Sequence, residues 1–296
     1  MKKMLLLTTM IFILFSCSKE INLKLPTPES KYVVEASIEN GKYPIVVLTR
    51  NMPYFAPVDT AFLMDSLFVT DAQVIVSDGV INDTLQLFYD LSRIQRKWWP
   101  FVYYKGSKIV GQLGRHYYLT VKIKSTIITA ETTIPSNVYY FDTIWWKPDA
   151  KAKNDSLGYI WIKATDNPNE KNYYRIYTQR LSRDYDFVPI FGSVYEDIYI
   201  SGKNFDFYLT RGLKNIEEDS AYSDKEFGYY RLGDTVVIKL SNIDKATFEF
   251  WRTLEGETYS AGNPFTNPTP IKHNVHGALG VFGGYASSYD TLIIKH

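Results

Sequence analysis

Cysteine is nearly missing from this chain: among 296 residues only Cys17 carries a thiol. Everything after it must fold without a disulfide, and it holds no thiolate metal site and no cysteine nucleophile. A charge surplus is missing too, with 33 Lys and Arg set against 32 Asp and Glu. Nucleic acid demands a concentrated basic surface, so this balance argues against such a partner. Past the first sixteen residues no stretch approaches the roughly twenty apolar residues that a membrane-spanning helix needs. Histidine is scarce, limited to His116, His273, His276 and His296. The sequence contains no G-x-S-x-G elbow, H-E-x-x-H pair, P-loop or calcium-hand loop, and no internal repeat or heptad period.

What is present begins with a short leader. Lys2 and Lys3 precede a run, residues 4–15, that is apolar but too short to cross a bilayer, and the run ends in Leu14-Phe15-Ser16-Cys17. A small residue directly before a lone cysteine resembles a lipobox, so residues 1–16 are expected to be a signal peptide and Cys17 the lipid attachment site that ties the chain to a membrane. Loss of the leader lowers Lys+Arg from 33 to 31 against 32 acids, a formal balance of about −1. Residues 17–30, polar and carrying Pro26 and Pro28, read as a tether.

From Lys31 the pattern has period two. Tyr32, Val34, Ala36 and Ile38 fall on one face and Glu35, Ser37 and Glu39 on the other, and the run closes at Asn40-Gly41. Alternation ending in Asn-Gly predicts a hairpin returning through residues 45–49. Further strands are expected at 72–77, 85–89, 108–112, 117–124 and 126–134. Seven short strands in about 105 residues suggest an immunoglobulin-like β-sandwich over residues 31–136, without the disulfide of antibody domains. Past Pro135 and Ser136, strand patterns resume at 141–146, 158–164, 173–181, 205–210, 232–240 and 291–295, giving a second β-rich domain over residues 137–296. The acidic stretch 215–226 reads as an exposed loop. One helix is expected at about 242–256, opened by Ser241 with Asp244 in a capping-box-like pair, with Thr247, Phe250, Trp251 and Leu254 on one face. The predicted fold class is all-β, with that helix near the C-terminus.

Few residues look chemical. His273 and His276 are spaced for a helical metal pair, but Pro270, Asn274 and Gly277 speak against a helix, and neither a metal nor a cofactor is expected. Asp184 with Asp186, and Glu196 with Asp197, have the composition of a glycosidase acid and base without evidence that they converge. Gly280-Val281-Phe282-Gly283-Gly284 lacks the lysine and helix of a phosphate cradle and reads as a close-packed β-turn. The strongest candidate contact patch is Trp98, Trp99, Phe101, Tyr103 and Tyr104. Two consecutive tryptophans on one strand cannot both face one core, so the cluster is read either as packing against the second domain, as partner contact or as a surface for ligand stacking. Aromatics make up 16% of the chain, which suits both sheet faces and stacking surfaces.

An ordered series of segments resembles a known family. It comprises the lipobox, Leu23-Lys24-Leu25-Pro26, Tyr32-Val33-Val34-Glu35-Ala36 with Ile38-Glu39-Asn40-Gly41, Thr133-Ile134-Pro135, Gly233-Asp234-Thr235-Val236, Ser241-Asn242-Ile243-Asp244-Lys245, Asn263-Pro264-Phe265 and Gly280-Val281-Phe282-Gly283-Gly284-Tyr285. Together they are similar to the domain-of-unknown-function 4249 lipoproteins of Bacteroidota along the whole mature chain. Ser18-Lys19-Glu20 likewise resembles the short signal that sends such lipoproteins to the cell surface. The resemblance implies an outer-membrane lipoprotein, at the cell surface or on the periplasmic face, often encoded beside a TonB-dependent transporter, and it assigns no catalytic residue. The expected function is a non-enzymatic accessory of such a transporter in nutrient uptake. A polymer-degrading hydrolase and a structural or adhesive surface protein are the alternatives.

Overall fold

The computed structural model describes residues 29–52, 66–96, 98–152, 154–165, 170–197, 204–212, 228–260, 263, 265–267 and 269–295. The leader, Cys17, nearly all of the tether and the acidic stretch 215–226 lie outside these residues. Of the described residues, 51% are in strands and 11% in helices, which makes the class all-β. None of their helices is long and apolar enough to cross a membrane.

Strand β1 (Tyr32–Glu39) and strand β2 (Ile45–Arg50) form the expected antiparallel pair, and Gly41 takes the φ of +75° that the turn requires. β3 (Gln73–Ser77), β4 (Asn82–Thr84), β5 (Gln86–Tyr89), β6 (Val102–Lys105), β7 (His116–Ile123) and β8 (Thr126–Thr133) complete the N-terminal part, with a short helix α1 (Leu91–Gln95) between β5 and β6. After these come β9 (Thr143–Pro148), β10 (Leu157–Thr165), β11 (Tyr173–Arg180), β12 (Val188–Glu196), β13 (Asn204–Leu209), β14 (Tyr230–Arg231) and β15 (Thr235–Ile243). The chain then forms helix α2 (Lys245–Ser260), β16 (Val275–His276) and β17 (Leu279–Ile293).

One eight-stranded sheet, ordered β12-β11-β15-β17-β1-β2-β6-β5, backs two smaller sheets. One of its faces packs on the five-stranded sheet β16-β8-β7-β3-β4 through a core that includes Val34, Ile38, Leu119, Ile128 and Phe282. The same face packs on the four-stranded sheet of β9, β10, β13 and β14 through a second core of Ile160, Ile162, Ile176, Leu209, Tyr230 and Ile238. Pro135 therefore separates two cores but not two sheets. β17 lies between β15 and β1 and pairs parallel with β1, and β16 adds to β8, so C-terminal residues complete both sheets of the N-terminal sandwich.

Several segments depart from the sequence expectation, each for a visible reason. The glycine-rich segment is no turn. It is the first half of β17, where a side chain on Gly280 would stand 1.8 Å from the Val34 carbonyl oxygen and one on Gly284 would stand 2.6 Å from that of Thr133. Glycine is used there to let backbones approach, the other common meaning of glycine in a strand. Residues 108–112 form no strand, because the Asp83 carboxylate accepts the N–H groups of Ser107, Lys108 and Ile109 at 2.8, 2.8 and 3.1 Å and curls the chain. The helix begins later than expected. Ser241 to Ile243 stay in β15, with the Ser241 hydroxyl 2.8 Å from that of Ser287, and Asp244 is the cap, accepting the Thr247 N–H at 2.7 Å.

Candidate functional site

The second face of the eight-stranded sheet, turned away from both cores, is covered at its two ends. Over β2 and β6, Phe68, Phe101 and Val102 cluster with Val47. Over β11, β15 and β17, helix α2 sets Phe248 against Tyr173, Ile243 and Tyr285. β1 runs through the gap between these covers, and Glu35, flanked in register by Val281 and Val47, is the side chain it presents there. Glu35 is exposed in this gap, which the two covers make a shallow recess over β1. Loss of surrounding water pushes the Glu35 carboxyl above its ordinary range, while Arg175 and a hydrogen bond from the Trp99 side chain pull in the other direction.

The wall on the α2 side is built around Tyr285. Gly283 precedes it by one pleat on the same face, and a Cβ there would meet the Tyr285 hydroxyl at 3.0 Å, so the bare backbone lets the phenol lie back along its own strand. That hydroxyl accepts the Trp251 indole N–H at 3.0 Å and is also bonded by Arg175. The buried Arg175 guanidinium sits 3.4 Å from the Trp251 ring centre and 4.9 Å from that of Tyr177. Its Nε donates to the Ser193 hydroxyl at 3.1 Å, and Ser193 donates in turn to Glu255 on α2. Burial pushes the phenols of Tyr177 and Tyr285 upward, which keeps both neutral as hydrogen-bonding groups.

Toward the end of β1 the same face carries a clamped carboxylate. Glu39 takes the Lys239 ammonium at 2.5 Å and that of Lys42 at 3.0 Å, and it accepts the Tyr289 hydroxyl. Burial alone would raise its pKa, but the two lysines outweigh that and hold it below the ordinary value. Phe187 closes this end, 5.6 Å from the Tyr289 ring centre. Glu39, Glu255, Arg175 and Lys239 are thus all engaged by fixed neighbours, whereas among the described residues Glu35 has Arg175 as a nearby cation and the Trp99 side chain as a donor. An ionised carboxylate offers about four acceptor positions, so Glu35 retains capacity for a ligand.

The residues singled out in sequence are dispersed. Trp98, Phe101 and Tyr104 are interior, so of the candidate contact patch only Trp99 and Tyr103 reach the surface, in line with the reading that the two tryptophans divide. Trp98 packs toward Tyr185 at 6.2 Å, and the Tyr104 hydroxyl donates to the Val69 carbonyl at 3.0 Å. Tyr103 is half-buried against Phe88. Trp99 is 41% exposed, stacked on Phe68 with ring centres 5.1 Å apart, and its edge serves Glu35. The second pair, Trp145 and Trp146, divides in the same way: Trp146 packs on the second core while Trp145 stacks on Trp161. Asp184 is bound by Arg180 and Asp186 by Arg93, and Glu196 pairs with Lys171 while Asp197 accepts the Asn172 N–H. Each of these four carboxylates is thus held by a neighbour of its own. The His273 Nδ1 accepts the Gly280 N–H at 2.9 Å, and burial lowers its pKa; His276 lies on β16 opposite Thr129. Among the described residues no group of three or more His, Cys, Asp or Glu could hold a metal ion.

Sequence reasoning missed Glu35, Arg175, Tyr177 and Tyr285. The available signal was charge on interior strands. Glu35 falls on the face of β1 opposite its apolar residues, and Arg175 sits mid-strand in Tyr-Tyr-Arg-Ile-Tyr, where a charged group between two paired strands must find a partner or line an opening.

No curated protein matches the chain. A family model, that of a domain of unknown function named DUF4249, matches residues 18–290, which takes in the recess, the first core and all of the second core but Leu292 and Ile294. The chain therefore belongs to the DUF4249 family.

Proposed function

We propose that this chain is a non-enzymatic lipoprotein of the cell envelope, held at the outer membrane by lipid on Cys17, displayed at the cell surface and serving a TonB-dependent transporter in nutrient uptake. The lipid anchor follows from the leader and lipobox, and the transporter setting follows from the resemblance to Bacteroidota lipoproteins. The observation that carries a binding role is the recess over β1. It offers one carboxylate with spare acceptor capacity, aromatic walls, and neighbouring charges already held by fixed partners, an arrangement suited to holding a small solute. Purification of the intact protein from detergent-extracted outer membranes should bring down a TonB-dependent transporter, and Cys17→Ala should release the protein from the membrane fraction. Recovery without any transporter would sink the partnership. Protease treatment of whole cells should degrade the protein, and survival there would assign it to the periplasmic face.

A hydrolase is the second reading: Glu35 is an exposed carboxyl in the recess whose pKa is shifted upward by its surroundings, the direction that suits a general acid. Turnover on a panel of glycans and esters, abolished by Glu35→Gln, would replace the binding reading with this one.

A further inference from the structure

We propose that the outer face of the four-stranded sheet binds a neutral polysaccharide, whose sugar rings stack on Trp145, Tyr159, Trp161, Tyr208 and Tyr229. This face is turned away from the eight-stranded sheet, so the site is separate from the recess over β1 and goes beyond the function proposed above.

Register places the rings. β10 runs between β9 on one side and β13 with β14 on the other. Trp161 lies directly opposite both Trp145 and Tyr208, which makes a rank of rings across the sheet. One pleat back along β10, Tyr159 lies opposite Lys147, and Tyr229 at the entry to β14 stands against it. Because side chains alternate, Ile160 and Ile162 enter the second core, and none of the aromatic residues of this face belongs to that core. Ring centres follow one another at 6.3 Å from Trp145 to Trp161, 5.4 Å on to Tyr208, 4.7 Å from Tyr208 to Tyr159 and 4.9 Å on to Tyr229. An unbroken chain of mutually supported rings is fixed before any ligand arrives, which lowers the ordering cost of binding.

The surroundings select the ligand. Tyr208 is 48% exposed, and no aliphatic side chain is exposed among the described residues of β9, β10, β13 and β14. The exposed positions bordering the rings are instead Lys147 at one end and Thr143, Lys163 and Asp206 at the other. The Lys147 ammonium stands 5.4 Å from the Trp145 ring centre and 4.9 Å from that of Trp161, so the cation position of both indoles is filled from within. Asp149 accepts the Tyr229 hydroxyl at 2.8 Å beside that lysine. Charges of both signs thus flank the rings at both ends and give little net pull on a charged polymer. The matching ligand is uncharged, with a C–H face whose weakly positive hydrogens meet the negative ring faces and with hydroxyls at its rim for the lysines and aspartates. A pyranose has both. A membrane matches less well: β1, where the tether joins the body, pairs with β17 at Leu279, whereas this sheet packs at Leu292, about 40 Å along the strand.

The probes are cellohexaose, maltohexaose and mannohexaose, each titrated calorimetrically into the folded mature protein, with vesicles of phosphatidylethanolamine and phosphatidylglycerol as the lipid comparison. The expected result is saturable binding of at least one hexasaccharide, about tenfold weaker in Trp145→Ala and in Tyr208→Ala, the scale of one lost aromatic contact. Both residues lie beside the central strand and outside the second core, and unchanged near-ultraviolet dichroism will show that each variant is folded. Tyr118→Ala, which removes an exposed ring on β7, should bind the sugar as the natural protein does. Three results overturn the proposal: no saturation by any of the hexasaccharides, undiminished binding in the folded Trp145→Ala and Tyr208→Ala proteins, or vesicle binding that those two variants abolish. Each is distinct from failure of the transporter partnership, which is read by co-purification and needs no sugar.

Discussion

Strand β1 separates two environments one residue apart. On one face Val34, Ala36 and Ile38 enter a core of aliphatic and aromatic side chains with almost no surface left to water. On the other, Glu35 and Glu39 stand among Arg175, Lys239, Tyr177, Tyr285 and Tyr289. Both faces share one backbone and one set of ladder hydrogen bonds, so the contrast isolates what side chains contribute. Apolar burial on the first face stabilises without regard to direction. The second face holds ionisable groups that are tolerable only while each finds a partner. The two glutamates sharpen the point: Glu39, clamped by two lysines, is held below its ordinary pKa, and Glu35, without a lysine, lies above it. A fold built only for stability would treat them alike.

The largest effect should come from the backbone that both faces depend on. Gly280 has a φ of +123°, and a Cβ on it would stand 1.8 Å from the Val34 carbonyl oxygen. Gly280→Val should break the parallel pairing of β17 with β1 at a cost of about 5 kcal/mol or more, comparable to the whole stability of many domains. Loss of cooperative thermal unfolding and of near-ultraviolet dichroism would register it. A well-folded Gly280→Val protein would refute the close approach.

Next is the clamp. Lys239→Met leaves buried Glu39 with Lys42 and the Tyr289 hydroxyl alone and should cost about 2–4 kcal/mol by denaturant unfolding, and adding Glu39→Gln should restore much of the loss. The pH dependence has a definite sign. Because the folded pKa of Glu39 lies below its ordinary 4.5, its contribution is complete above that value and disappears as pH falls through the lower folded pKa. Lys239→Met should flatten this acid limb of the stability curve. An unchanged acid limb would mean that the pair is unimportant. On the apolar face, Ile38→Ala should cost about 2–5 kcal/mol with no such dependence on pH, since it removes only packing.

The apolar face was legible in the sequence and the polar face was not. Alternation in residues 32–39 placed Val34, Ala36 and Ile38 together, and it placed Glu35 and Glu39 opposite them. The same alternation cannot distinguish a face open to bulk water from one roofed by a distant helix. That roof depends on α2 and β17, more than 200 residues away in the chain, and β17 was hidden because its glycines resemble a turn until the neighbouring backbone is seen. The helix itself was legible from its apolar spacing, but its start was displaced by the longer β15, and Phe248, which anchors it to the sheet, was not among the residues assigned to its buried face. Strand β12 escaped notice because Pro189 and Gly192 interrupt its pattern. Gly192, at φ +64°, and the register shift near Arg175 place the irregularity beside the recess. Trp98 and Trp99 drew attention correctly as a pair that must divide. Which of them would face solvent was set by Phe68 and Tyr185, contacts that local sequence does not encode.

The smallest effect on stability, and the only favourable one, should come from Glu35→Gln. An acid whose folded pKa is raised is protonated more readily in the folded than in the unfolded chain, so raising the pH through the window between the two values removes stability instead of adding it. Above that window the folded protein carries the penalty of an ionised carboxylate crowded by protein, reduced by its exposure and by Arg175. Glutamine keeps the shape and an acceptor for Trp99 but has no charge to desolvate. The variant should therefore melt slightly higher than the natural protein at pH 7, and the difference should vanish as the solution is acidified below the ordinary carboxylate range. A melting temperature that instead falls at pH 7 would show that Glu35 is a structural group like Glu39, and the two glutamates of β1 would no longer differ in kind. A rise would mean that the chain keeps a carboxylate against its own stability, which is what a residue retained for contact with another molecule looks like.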